Sequence, residues 1–162
     1  PSVLSFGKVE ALGATNIIPS EVKIAGTFRA MNETWRYEAH QHITKIAQGI
    51  AESMGATCDV NISVGYPYLE NNPALTEQAR NYAEEYMGAE NVVELEPGMG
   101  AEDFSYYSQE IPGCFYRLGT ANEAKGITSY VHTPTFNIDE KALEIGAGLM
   151  AWIAYKALEN ED

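Results

Sequence analysis

The sequence predicts an α/β protein in two lobes, an α+β lobe over residues 1–66 followed by an α/β layer over residues 67–162. Three features carry that expectation. The chain opens on two stretches of period two followed by one long stretch of helical period. An aperiodic run, Tyr66-Pro67-Tyr68-Leu69-Glu70-Asn71-Asn72-Pro73, then interrupts it as a linker. Beyond it, strand-like and helix-like segments alternate, the pattern of an α/β layer.

Residues 2–12 set Val3, Ser5, Gly7 and Val9 against Leu4, Phe6, Lys8 and Glu10, the alternation of a half-buried strand. Gly13-Ala14-Thr15-Asn16 turns, and residues 21–30 alternate again, with Val22, Ile24, Gly26 and Phe28 on one side. The two strands are expected to pair as a hairpin with Asn16 and Pro19 in the connection. Asn32 then caps a long helix with an apolar stripe of Trp35, Ala39, Ile43, Ile46, Ala47, Ile50 and Met54, and Gly55 stops it. Residues 56–65 resume period two as a third strand.

After the linker, Asn72 caps a helix with Pro73 in its first turn and Leu75, Ala79, Tyr82, Ala83 and Tyr86 on one face, and Gly88 ends it. Residues 91–95 and 114–119 read as strands, and Asp103 as the cap of a brief helix between them. Asp139 caps a final helix whose Leu143, Ile145, Ala147, Leu149, Met150, Trp152, Ile153 and Ala154 cover much of its circumference, which predicts burial on more than one side.

Composition excludes some functions. A net charge of −13 and a pI of about 4.5, with scattered basic residues, argue against a nucleic-acid partner. No apolar run approaches the roughly 20 residues of a membrane span, so no membrane partner is expected. Cys58 and Cys114 lie in apolar stretches and read as buried free thiols in a reducing, cytoplasmic compartment. The start lacks a signal-peptide pattern, and its opening on Pro1 directly into strand-like sequence reads as a fragment or a processed product.

Chemistry concentrates between Pro97 and Pro134. His132 follows a polar loop and precedes Thr133-Pro134, so it reads as a surface-held imidazole, either structural or a metal ligand. Glu102 is a possible general base or metal carboxylate, and Asp103 beside it reads as a helix cap. Gly98-Met99-Gly100-Ala101 admits close backbone approach to a ligand but lacks the ending of a phosphate loop. Arg29 and Asn16 are candidates for gripping a carboxylate, or else a surface ion pair and a turn residue. His40 and His42, two apart on a helix, cannot chelate together and read as solvated.

Thr15-Asn16-Ile17-Ile18-Pro19, Gly26-Thr27-Phe28-Arg29, Met99-Gly100-Ala101-Glu102-Asp103-Phe104 and His132-Thr133-Pro134, in this order, resemble the C-terminal half of the M20 metallopeptidase family. The closest likeness is to its amidohydrolase branch of hippurate and N-acyl-amino-acid hydrolases and N-acetyldiaminopimelate deacetylases. The resemblance implies a partial ferredoxin-like lid or dimerisation domain over residues 1–66. It implies the C-terminal part of a zinc-peptidase-like catalytic domain over residues 67–162. It further implies a parent enzyme with two divalent metal ions, zinc or manganese, cleaving an N-acyl or peptide amide bond of an amino acid with a free carboxylate, and dimerising through the lid. By the same resemblance, His132 matches the last metal ligand, Asn16 and Arg29 match lid residues that hold the substrate carboxylate, and Gly100 and Ala101 line the substrate pocket. The catalytic glutamate, the other ligands and the oxyanion-binding histidine have no counterpart in this sequence, so this chain alone is expected to be inactive. The rival expectation is a non-catalytic module that dimerises or binds a small ligand.

Overall fold

The computed structural model of the protein describes residues 1–159; the last three positions of the predicted second lobe lie outside them. The backbone gathers into two compact units, one made of Pro1–Leu69 with Pro97–Tyr106, the other of Glu70–Glu96 with Tyr107–Asp162. The first crossing falls inside the aperiodic linker, and residues 97–106, which include the Gly-rich turn, belong to the first unit.

In the first unit β1 (Ser2–Glu10) and β2 (Lys23–Ala30) form the expected antiparallel hairpin, with Ser2 opposite Ala30 and Glu10 opposite Lys23. The register slips once. Phe6 pairs with Gly26 and Lys8 with Ala25, which leaves Gly7 as the extra residue of a bulge. A Cβ on Gly26 would run into the Ser5 carbonyl and lie 2.8 Å from the Phe6 ring, so the close approach requires glycine. One expectation is corrected: β1 is not half-buried, and in β2 only Phe28 and Ala30 are. Every residue of β1 is exposed, because α1 approaches β2 and not β1, and alternation buries a face only where a layer covers it.

Helix α1 (Glu33–Ser53) starts and stops as its sequence predicts. The Asn32 side chain accepts from Trp35 N at 2.8 Å, and Gly55 turns at φ 77° while Ala56 N reaches back to Ala51 O at 2.9 Å. Its covered stripe is rotated from the predicted one. Arg36, Ala39, His40, Ile43, Thr44, Ala47 and Ala51 form it, whereas Trp35, Ile46, Ile50 and Met54 are exposed. His40 is therefore half-buried rather than solvated, edge-on to Phe28 at 6.1 Å and to Tyr37 at 5.8 Å, while His42 is exposed as expected. Arg36 ties the helix to the linker: Nη1 donates to Tyr66 O at 2.7 Å, and the guanidinium pairs with Glu33, whose Oε1 accepts from Tyr68 N at 3.0 Å.

Residues 56–65, 91–95 and 114–119 are not strands, which corrects three expectations; residues 89–91 are instead a short 3-10 turn. The alternation in the first of them is real, since Cys58, Val60 and Ile62 are half-buried between exposed Thr57, Asp59 and Asn61. Alternation specifies faces, but a ladder also needs a neighbouring backbone in register, and the described residues provide none. At residue 115 a side chain substitutes for that neighbour. Asn71 Oδ1 accepts from Phe115 N at 2.7 Å and Asn71 Nδ2 donates to Phe115 O at 2.9 Å. Both cysteines are free and half-buried.

The second unit is built on α2 (Pro73–Met87) and α4 (Lys141–Glu159), which pack against each other. Asn72 caps α2 by accepting from Leu75 N at 3.0 Å. Ala79, Ala83, Ala142 and Leu149 form the core, with Leu149 only 3% exposed. The helices touch where a Cβ on Gly148 would collide with the Tyr86 hydroxyl. Helix α4 is covered on one stripe, Ala142, Gly146, Leu149, Ile153 and Lys156, and Leu143, Ile145 and Met150 stand exposed, so burial on several sides is also corrected. A short helix, α3 (Phe104–Glu110), follows the Gly-rich turn.

Candidate functional site

Within the first unit the fold brings Arg29 to the Gly-rich turn. Arg29 stands near the end of β2, and its Nη1 donates to Met99 O at 2.8 Å. This fixes the guanidinium at one corner and leaves the rest of its planar fork for an anion. Gly100 and Ala101 follow directly, exposed, and carry no bulk that would keep a ligand from their backbone. Glu102 is half-buried, and its carbonyl accepts from Ser105 N at 3.2 Å and Ser105 Oγ at 2.6 Å, while Asp103 O accepts from Tyr106 N at 3.0 Å. The two backbone carbonyls thus open α3, and Ser105 beneath them is fully buried.

Asn16 occupies the centre of a tight turn in which Ala14 N donates to Ile17 O at 3.3 Å and Ile17 N to Ala14 O at 3.0 Å. The connection carrying this turn leaves the hairpin at the Glu10–Lys23 end. Arg29 is at the other end of β2, about 20 Å along the strand from Lys23 at the usual strand rise.

His132 belongs to the second unit, in a short polar turn. Thr133 Oγ1 donates to Tyr130 O at 2.8 Å, Ser129 Oγ and Thr135 Oγ1 lie 2.8 Å apart, and Phe136 N donates to Thr133 O at 3.1 Å. His132 itself has φ 63°, and among the described residues no other non-glycine has positive φ. Histidine tolerates that region better than bulky or β-branched residues, yet a side chain held there marks a constraint imposed by its surroundings. The exposed ring carries no hydrogen bond to a described residue, so an imidazole nitrogen can serve as a donor. Among the described residues no three His, Cys, Asp or Glu side chains cluster tightly enough to hold a metal ion.

The base of the His132 loop is closed by Asp139. Asp139 N donates to Thr120 O at 2.9 Å, and its carboxylate takes Lys125 Nζ on Oδ1 at 2.6 Å and Asn122 Nδ2 on Oδ2 at 2.5 Å. Oδ1 also accepts from Lys141 N at 3.3 Å, the expected cap of α4. The Lys125 hydrogen bond first, and the Asn122 bond next, hold the Asp139 carboxyl down at about 2. Sequence reasoning identified Asp139 as a cap but missed Asn122 and Lys125, which stand in a polar loop without period, and the Met99 carbonyl, which no sequence pattern distinguishes.

No helix among the described residues is long and apolar enough to cross a membrane. The chain is 36% identical over 157 residues to thermostable carboxypeptidase 2 of Saccharolobus solfataricus, covering 96% of this chain and 39% of that protein. It is also 36% identical over 160 residues to an IAA-amino acid hydrolase of Arabidopsis thaliana, covering 96% of this chain and 36% of that protein. The fold is similar, at a TM-score of 0.75 and 30% identity, to the Bacillus subtilis YxeP protein, a dinuclear metal-binding peptidase of the M20 family, over 98% of this chain and 42% of that one. The chain thus spans about two fifths of the length of the relatives it matches. Residues 4–156 match the description of peptidase family M20/M25/M40, and the chain belongs to that family.

Proposed function

We propose that this chain is the C-terminal portion of a metal-dependent amidohydrolase that cleaves an N-acyl or peptide amide bond of an amino acid with a free carboxylate. In this reading residues 1–66 are part of a lid and residues 67–162 the end of the catalytic domain. The observation that carries it is the Arg29–Met99 contact, which joins the end of a lid strand to the Gly-rich turn inside one unit. Divalent ions in such an enzyme, two of zinc or manganese, act as Lewis acids on the scissile carbonyl. The dinuclear relative supports that count.

The roles of this chain's residues follow from their chemistry. Arg29, steadied by the Met99 carbonyl, grips the substrate carboxylate through its remaining donors. Gly100 and Ala101 let the substrate lie against backbone, and His132 contributes one imidazole ligand. Glu102 lines the same turn. Asn16 leaves from the opposite end of the hairpin, so we assign it to the substrate site of a second copy in a lid-mediated homodimer.

The reading is tested in a longer M20 protein that carries this region. Arg29→Ala should raise KM with little change in kcat, the signature of lost uniform binding, and His132→Ala should abolish turnover. The 162-residue chain supplied with zinc or manganese should leave N-acyl amino acids intact. Hydrolysis by that chain would overturn the assignment of the missing machinery to other residues.

A further inference from the structure

The two ends of residues 120–139 meet at Asp139, whose backbone and carboxylate both take part. Thr120 O and Asp139 N meet at 2.9 Å, so the first and last residues of the segment are joined by backbone. Inside it Asn122 and Ile127 exchange bonds of 2.8 and 2.9 Å, closing a small loop around the 3-10 turn Glu123–Lys125. This small loop is attached to Asp139 twice more, through Asn122 Nδ2 and Lys125 Nζ. Asp139 is 8% exposed and anchored in turn to α4 through Lys141 N and Ala142 N. Farther along the segment His132 stands at φ 63° in a turn whose hydrogen bonds, among the described residues, run between residues 129 and 136.

A left-handed, non-glycine residue costs on the order of 1 kcal/mol or more relative to a relaxed φ, so a short exposed turn holds it better when its ends are fixed. The fixed ends are supplied at Asp139. We propose that Asp139 is a positioning residue, clamping the base of the 120–139 loop through Asn122 and Lys125 so that the His132 imidazole is presented in one backbone conformation. The inference rests on the reading of His132 as a ligand for its functional meaning, but its geometry stands apart from any metal.

The test uses the 162-residue chain, labelled with 15N and 13C. The one-bond Cα–Hα coupling of His132 reports the sign of its φ, and 15N relaxation reports its order. In Lys125→Met and Asn122→Ala, which leave the α4 cap in place, the coupling should move toward the value of right-handed backbone. The His132 order parameter should fall from about 0.85 toward about 0.6, with the amides of α4 still protected from exchange. Asp139→Ala should give the largest change. A merely structural carboxylate would lower the protection of α4 and leave the His132 coupling where it was, and that result overturns the proposal. So does an unchanged His132 in Lys125→Met and Asn122→Ala, should Asp139→Ala fail to fold. The ligand reading is tested separately by adding Co2+ and following the ring protons of the three histidines. Ions that leave His132 untouched remove the ligand role, whereas only an unmoved coupling removes the clamp.

Discussion

In the second unit two helices bring Leu149 to 3% exposure and press Gly148 against Tyr86, while in the first unit Phe6 and Val9 of β1 remain 62% and 65% exposed. The first unit is held by other means. It has the antiparallel ladder, the Asn32 cap, and the Arg36 cluster that joins α1 to Tyr66 and Tyr68. Apolar patterning of similar strength thus yields a packed core in one unit and uncovered faces in the other. Burial depends on what lies opposite a stripe, and hydrogen bonds carry the difference where nothing does. Trp35 falls in the first unit and Trp152 in the second, so each unit carries its own fluorescent reporter.

The strongest way to break the comparison is Leu149→Ala. It should destabilise the second unit by about 2–5 kcal/mol, the usual range for truncating a buried leucine. The Trp152 transition in urea should move to lower denaturant with the Trp35 transition in place. A common shift of both would mean that the units unfold together. Gly148→Ala tests the same contact from the opposite direction, by overpacking, at about 1–3 kcal/mol. Adding Tyr86→Phe should restore part of that loss, because it removes the hydroxyl the new Cβ would meet.

For the first unit the corresponding change is Arg36→Met. The guanidinium is largely buried, its side chain 11% exposed, and it bonds to Tyr66 O and Glu33. Losing hydrogen bonds from a charged group should cost about 1.5–3 kcal/mol, read this time by Trp35 alone. If Trp152 responds instead, the cluster does not belong to the stability of the first unit.

Acid separates the units again. Asp139 has its folded pKa lowered from 3.8 to about 2, by the Lys125 hydrogen bond first and the Asn122 bond next. A depressed carboxyl stabilises the fold above its unfolded pKa, and that contribution fades as pH falls through the folded value. The second unit should therefore lose stability between about pH 4 and pH 2. Asp139→Asn should lower it at neutral pH and flatten that acid limb. An acid limb of the same slope in the variant would show that Asp139 is not its source.

Local signals in the sequence are faithful here and long-range ones are not. The caps at Asn32, Asn72 and Asp139, the stops at Gly55 and Gly88 and the hairpin of β1 with β2 were all legible, because each depends on residues close in the chain. The strands expected at 56–65, 91–95 and 114–119 were not, because a strand is made by its neighbour. Near Phe115 that neighbour is the amide of Asn71, which no period-two count can reveal. The candidate site divides the same way. Arg29 and the Gly-rich turn were visible as residue types, but the carbonyl that joins them is chemically the same as every other carbonyl in the chain.

The smallest predicted effect concerns His132, where the second unit, with its packed core, carries a strained residue at its surface. The side chain is exposed and makes no bond to a described residue, so removing it sacrifices little packing. What remains is the backbone at φ 63°, which an L-residue occupies at a cost of roughly 1–2 kcal/mol and glycine occupies freely. Alanine keeps that cost and glycine releases it, offset in part by the greater freedom glycine has in the unfolded chain. His132→Gly should therefore be more stable than His132→Ala by about 0.5–1 kcal/mol in the Trp152 transition, an order opposite to that expected at an ordinary loop position. If alanine proves the more stable of the two, His132 relaxes to negative φ in solution, and the loop does not hold the imidazole in the conformation on which its assigned role depends.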